Sequence, residues 1–266
     1  MSYFENKVIW ITGASFGIGE ALAKRLAAEN PRLILSSRRS DQLERVRDEI
    51  QHAHPLDISI LPFDLASPDR VNEAPGRAAA IYGHVDILIN NGGISQRSMA
   101  VETEMQVYRQ LMEVNFFSAV ALTKGLLPDM IKRKSGHIVT ISSVTGKYGS
   151  PWRTGYASSK HALHGFFDSL RAELFNDNIR VTLVTPGFVR TNISKNALTA
   201  SGEKFGKMDE AQASGISPEK CADRIVKEIK TGKEEILIGK KEAFAVYIKR
   251  FFPGLFSRII RKAKVR

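Results

Sequence analysis

The 266 residues hold one cysteine, Cys221. Intramolecular disulfides and a thiolate zinc cage are therefore excluded, and a reducing compartment, the cytoplasm, is expected. No apolar run approaches the roughly 20 residues that a membrane-spanning helix needs. The N-terminal stretch lacks the basic segment, apolar run and small-residue cleavage site of a secretory leader, so secretion is not expected. The six histidines are scattered and none forms a His-x-x-x-His pair with an acidic partner, so no metal site is expected. His161 and His164 read as packing or surface groups. Acid is missing from one region altogether. Residues 244–266 carry seven of the eleven net positive charges and no Asp or Glu, while the rest of the chain is nearly balanced.

What is present is alternation. Apolar, β-rich runs at 7–12, 32–37, 58–63, 85–90, 137–142, 179–184 and 235–239 are separated by helical patterns. The helices are expected at about 17–28, 41–53, 67–83, 103–133, from Tyr156 to near Asn176, and at 218–231, with a kink or early end at Pro75-Gly76. Near-continuous apolar strands alternating with helices predict an α/β fold. It should be a doubly wound parallel sheet of about seven strands, helices on both faces, with ligands at the carboxyl ends of the strands. The length suits one domain over residues 1–241 followed by an extension at 242–266.

The first strand runs into TGASFGIGEALAKRLA. Gly13, Gly17 and Gly19 permit a tight turn, close approach of backbone to phosphate and close helix-to-strand packing, and the next helix start offers free N–H groups to a pyrophosphate. Its placement between a strand and an alanine-rich helix marks a dinucleotide site, to which Ser15, Phe16 and Ile18 of the same turn would belong. After the second strand, where an acid would bind the 2′-hydroxyl of NAD, stand Ser36-Ser37-Arg38-Arg39. Guanidinium groups at Arg38 and Arg39 suit a 2′-phosphate, which favours NADP(H) over NAD(H). Asp64 and Leu65, just past the third strand, are placed toward the adenine. Asn90-Asn91-Gly92-Gly93 follows the fourth strand, and Asn91 and Gly93 should lie against the cofactor.

Tyr156 and Lys160 are four residues apart in YASSKHALHGFF, with Ser143 upstream in HIVTISSVTG. On a helix that spacing stacks phenol and ammonium on one face. A tyrosine pKa of about 10 is too high for proton exchange near pH 7, and a neighbouring cation would lower it. Such pairs are also common on ordinary helix surfaces, so the spacing gains weight only from its company.

Together these residues resemble the short-chain dehydrogenase/reductase family in its form of about 250 residues. The motifs are TGASFGIG at 12–19, NNGG at 90–93, Asn115 in MEVNFFS, Ser143, Tyr156 with Lys160, and PGFVRT at 186–191, over about residues 5–240. The resemblance implies a Rossmann-type catalytic domain and hydride transfer between a nicotinamide and a carbonyl or alcohol. Tyr156 would be the general acid or base, and Lys160 would lower its pKa and bind the nicotinamide ribose. Ser143 would orient the carbonyl, and Asn115 would hold a water in a relay to Lys160. Pro186, Gly187, Val189 and Thr191 would contact the nicotinamide end. A homodimer or homotetramer built through the Asn115 and Tyr156 helices is also implied. Two positions depart from the family pattern: Gly92 stands where Ala is frequent, and Phe16 where some NADP-preferring relatives carry a basic residue.

Residues 190–216 lie where such enzymes carry a mobile substrate loop, with Ile193, Leu198, Phe205 and Met208 as its few apolar anchors. In the tail, Leu255, Phe256, Ile259, Ile260 and Ala263 share one helical face. Arg258, Arg261 and Lys264 lie opposite, with Lys262 and Arg266 near the apolar edge. Two readings stay open for this segment: contact with an anionic membrane surface, or packing on the body or a neighbouring subunit. Nucleic-acid binding is not expected, since no recognised module accompanies the charge. For the whole chain the leading expectation is an NADP(H)-dependent reductase of a lipophilic ketone. A non-catalytic dinucleotide-binding scaffold and a membrane-surface adaptor are its rivals.

Overall fold

The apolar runs pair side by side in a computed structural model that describes residues 2–263. β1 (Val8–Thr12), β2 (Arg32–Ser36), β3 (Ile58–Ile60), β4 (Ile87–Asn90), β5 (Gly136–Ile141), β6 (Ile179–Pro186) and β7 (Glu235–Ile238) form one sheet. Its order is β3-β2-β1-β4-β5-β6-β7, with all neighbours parallel. Side chains alternate across it, as strand geometry requires. Ile9 and Ile11 of β1 join a core with α1 (Gly17–Ala27), α2 (Ser40–Ala53) and α8 (Pro218–Lys230). Val8 and Trp10 face the opposite core, built with α3 (Pro68–Tyr82), α5 (Ser118–Arg133) and α6 (Thr154–Glu173). This is the doubly wound α/β sheet. The order in which strands are laid down reverses at β1, so that β4 starts the other half of the sheet, which opens a crevice beyond the carboxyl ends of β1 and β4.

The early end that Pro75-Gly76 allowed does not occur, for α3 continues through Pro75 to Tyr82. The proline ring is buried where α5 presents Gly125, and a Cβ on Gly125 would fall 2.5 Å from Pro75 Cγ. Packing of the ring into that gap offsets the lost backbone bond. The long helical stretch is divided into α4 (Met105–Met112), a π-helical turn at Glu113–Phe117 that contains Asn115, and α5. Such turns insert one residue and rotate the side chains that follow.

Residues 190–216 carry α7 (Glu210–Ala213). Of the four apolar anchors only Leu198 is buried; its N–H donates to Ser95 O and its carbonyl accepts from Arg97 N. The tail forms α9 (Lys241–Phe251) and α10 (Pro253–Arg261) directly after β7. Its apolar face is divided. Phe256 packs on Val144 and Tyr148, with ring centroids of Phe256 and Tyr148 at 5.1 Å, and Ile260 joins them. Leu255 and Ile259 remain exposed, as do Phe244, Tyr247, Phe251 and Phe252. Packing on the body therefore accounts for part of the segment. Lys264 and Arg266 lie outside the described residues.

Candidate active site

The glycine turn between β1 and α1 is shaped by backbone needs. Gly13 and Gly17 adopt φ of +64° and +60°, where a side chain would be strained, and a Cβ on Gly19 would run into the Gly13 carbonyl. Asn91 holds this turn against the end of β4. Its Nδ2 donates to the Thr12 and Gly13 carbonyls at 3.0 and 3.1 Å, while Thr12 Oγ1 accepts from the Asn91 and Gly92 N–H groups. Gly92 has its own local reason, because a Cβ there would collide with Leu65 Cδ1.

At the end of β2, Arg38 makes a loose 3.8 Å pair with Asp64, both exposed. The Arg39 guanidinium lies 4.0 Å from the centroid of the Phe16 ring. Phe16, which departs from the basic residue of some relatives, thus serves as a platform for a neighbouring cation. Thr191 covers the turn from the far side: a Cβ on Gly17 would sit 2.8 Å from its Cγ2.

Tyr156 and Lys160, one turn apart on α6, face the same space as Ser143 from the end of β5. Ser143 Oγ accepts from Thr145 N at 3.2 Å and Thr145 Oγ1 at 3.0 Å, which leaves its own proton for the Tyr156 oxygen. Lys160 Nζ donates to the Ile141 carbonyl at 2.9 Å and lies 6.0 Å from the Tyr156 ring centroid. Burial lowers its pKa to about 8. For Tyr156 the balance differs from expectation. Burial raises its pKa, while hydrogen bonds from Ser143, the charges of Arg153 and Arg97, and Thr145 pull it down.

All the residues expected at cofactor or substrate line one cavity of about 1270 Å³, except Gly19 and Asn115. Gly19 lies behind the turn. In the Asn115 side chain, Oδ1 accepts from Ile94 N at 2.8 Å, and Nδ2 donates to Ile94 O and Ser159 Oγ at 2.9 Å each. It ties α6 to the segment after β4. Pro186, Gly187 and Val189 extend the lining from β6. Among the described residues, no three His, Cys, Asp or Glu side chains converge as a metal site would require.

The family model for short chain dehydrogenases matches residues 7–201. This chain belongs to the short-chain dehydrogenase/reductase family. It is 46% identical over 267 residues to a Drosophila melanogaster protein named "Dehydrogenase/reductase SDR family protein 7-like", covering 98% of this chain and 81% of the relative. A solved metagenomic short-chain oxidoreductase in complex with NADP is 29% identical, with a TM-score of 0.74 over 88% of this chain and 97% of its own. A Burkholderia phymatum family member in complex with NAD shares the fold, with a TM-score of 0.85, 23% identity and 96% coverage of each chain. Dinucleotides of both kinds are thus bound by proteins of this shape.

Several site residues escaped the motif reading of this family member. Gln96 Oε1 accepts from Gly155 N at 2.7 Å and Tyr156 N at 3.4 Å, capping α6 at the turn that carries the phenol. Glu242 Oε1 accepts from Phe188 N and Lys240 N, fastening α9 across the end of β6. Arg97, Arg153 and Asp209 form a buried ionic cluster beside Tyr156. No local sequence signal could have found these, because each depends on partners brought together by the fold.

Proposed function

We propose that the chain transfers a hydride between NADP(H) and a carbonyl or secondary alcohol, acting as a reductase of a lipophilic ketone. The observation that supports this most is the meeting of Ser143, Tyr156 and Lys160 with the glycine turn in one cavity. The turn and the start of α1 fit a pyrophosphate, and Arg38 and Arg39 fit a 2′-phosphate. The exposed Arg38–Asp64 pair is weak enough to yield to it.

Once bound there, a nicotinamide dinucleotide would supply the hydride for the carbonyl carbon. Ser143 directs its proton to the carbonyl oxygen and polarises the bond. Tyr156 hands its phenolic proton to that oxygen as the carbon is reduced. Arg153, Arg97 and the Lys160 ammonium favour the resulting phenolate, and in the oxidative direction Tyr156 takes the proton back. Asn115 and Gln96 act before the chemistry, by setting the position of α6. Residues 190–216 close over the substrate and exclude water within the catalytic domain at 1–241.

A screen of apolar ketones with NADPH and with NADH tests this reading. Turnover with NADPH at a kcat/KM at least tenfold above that with NADH is expected. Consumption of neither cofactor with any ketone would remove it.

Exposed Phe244, Tyr247, Phe251, Phe252 and Leu255 stand beside Lys249, Arg250, Arg258 and Arg261. This supports peripheral contact with an anionic membrane surface from the cytoplasmic side. No helix among the described residues is long and apolar enough to cross a membrane. Flotation with phosphatidylserine vesicles should carry the protein up, and Phe251→Asp with Phe252→Asp should leave it at the bottom. Exposed Phe117, on the π-helical turn leading into α5, supports self-association there, readable as a dimer or tetramer mass by light scattering.

A further inference from the structure

Helix α10 stands at the edge of the active-site cavity. Phe256, Ile259, Ile260 and Ala263 line it, and Ala245 joins them from α9. The two helices are held to the body at several points. Glu242 Oε1 accepts from Phe188 N at 3.2 Å, Tyr148 Oη donates to the Glu242 carbonyl at 3.2 Å, and the Phe256 ring is buried against Tyr148. The tail is a fixed wall of the cavity.

One side of α10 leads out of that cavity. Residues four apart share a helix face, so Phe256 stands in line with Ile260, and Leu255 with Ile259. The first pair is turned inward onto Val144 and Tyr148. In the second pair both side chains are exposed, yet Ile259 lines the cavity and Leu255 does not. An apolar stripe therefore runs from the outer surface to the cavity wall. Before it in the chain stand the exposed rings of Phe251 and Phe252, and the cations Arg250, Arg258, Arg261 and Lys262 of the same segment are exposed as well. No Asp or Glu occurs in residues 244–266 to offset them. Apolar rings bordered by cations match the layering of an anionic bilayer, with hydrocarbon for the rings and headgroups for the charge.

Resting on the reductase and membrane-contact readings above, we infer that this stripe is the substrate entrance and that it opens into the bilayer. The substrate is then a long-chain ketone lipid resident in the membrane. It moves along Leu255 and Ile259 to Ser143 and Tyr156 without passing through water. Each methylene drawn out of hydrocarbon adds to the cost of hydration, so a long-chain ketone is scarcely present in free solution. An entrance facing water would wait on that scarce species, whereas one flush with the membrane draws on the whole bilayer population.

The test compares two ketones with the NADPH-loaded full chain: octan-2-one in solution, and heptadecan-2-one held in equimolar phosphatidylcholine–phosphatidylserine vesicles. Flotation with the same vesicles reports attachment, and NADPH fluorescence confirms that each variant is folded. Phe251→Asp with Phe252→Asp, at two positions that do not line the cavity, should stay at the bottom and lose tenfold or more of the rate with heptadecan-2-one. Its turnover of octan-2-one should remain within about twofold of the parent. The free concentration of the long ketone is the same for both proteins, so only its route differs. Ile259→Trp should still float, while its rate with heptadecan-2-one falls tenfold or more relative to that with octan-2-one, because the larger ring narrows the entrance.

Parental rates on heptadecan-2-one from the detached double variant, or from Ile259→Trp, would overturn the entrance and leave the membrane contact standing. Equal loss of both ketones in the double variant would also overturn it, since the tail would then act on the chemistry rather than on entry. A parent that reduces octan-2-one but does not float removes the membrane contact and the entrance together. A parent that floats and reduces neither ketone removes the reductase reading, and the entrance with it.

Discussion

The two ends of the cavity are built by different means. The cofactor end is assembled from short segments that follow β1, β2, β3 and β4, each carrying its own chemical reason locally: glycines with positive φ, adjacent arginines, an asparagine that ties two turns together. The substrate end is assembled from distant pieces, with Gln96, Arg153, Asp209, Glu242 and Phe256 arriving from five parts of the chain. The contrast separates what a dinucleotide demands of any such sheet from what a particular substrate demands of this one.

The sharpest way to break the cofactor end is at its glycines. Gly19→Ala places a methyl group against the Gly13 carbonyl, and backbone there cannot give way. NADPH binding, followed by fluorescence, should fall by more than a hundredfold. The same change at Gly92 meets only the tip of Leu65, which can rotate, so Gly92→Ala should alter affinity by less than about threefold and stability by ~1 kcal/mol. Equal losses at the two positions would mean that the turn is not the phosphate cradle. Next in size, Arg39→Ala should raise the KM for NADPH by roughly tenfold to a hundredfold, the value of charge-assisted hydrogen bonds, and leave that for NADH nearly unchanged. Steady-state kinetics with both cofactors decides it.

Lys160 lies where the two ends meet and gives a pH signature. Its folded pKa of about 8 lies below the ordinary 10.5, so the unfolded chain holds the proton more tightly. The protonated ammonium therefore costs stability below pH 8, and that cost is relieved as pH rises from about 8 to 10.5. The shift corresponds to about 3 kcal/mol. Lys160→Met should be more stable than the parent at pH 7, and the difference should shrink toward pH 10.5, as measured by urea unfolding. A difference independent of pH would contradict the burial of a titrating amine. The smallest effect belongs to the substrate end. Phe256→Ala should raise the KM for an apolar ketone several-fold and leave the KM for NADPH within twofold, because α10 walls only that side.

Legibility in the sequence follows the same division. Strands were readable because a sheet covered on both faces needs unbroken apolar runs, and the glycine turn because its constraints act within eight residues. Pro75 does not end its helix because the ring is received by Gly125 of α5, a neighbour fifty residues away. The cap that Gln96 places on α6 spans 59 residues, and the Arg97–Asp209 bond spans 112. Neither separation leaves a periodic or compositional trace. The basic tail was visible as an amphipathic helix. Which of its apolar residues would be covered depended on Tyr148, an unremarked aromatic that offers Phe256 a partner.

The central claim is that the Tyr156 phenol moves the proton while the dinucleotide binds independently at the other end of one cavity. Tyr156→Phe removes only the hydroxyl, so the most direct measurement pairs NADPH binding by fluorescence with single-turnover oxidation of bound NADPH by a ketone. The account predicts affinity within about twofold of the parent and a rate lowered by about a thousandfold. A rate within tenfold of the parent, with the cofactor bound, would contradict it.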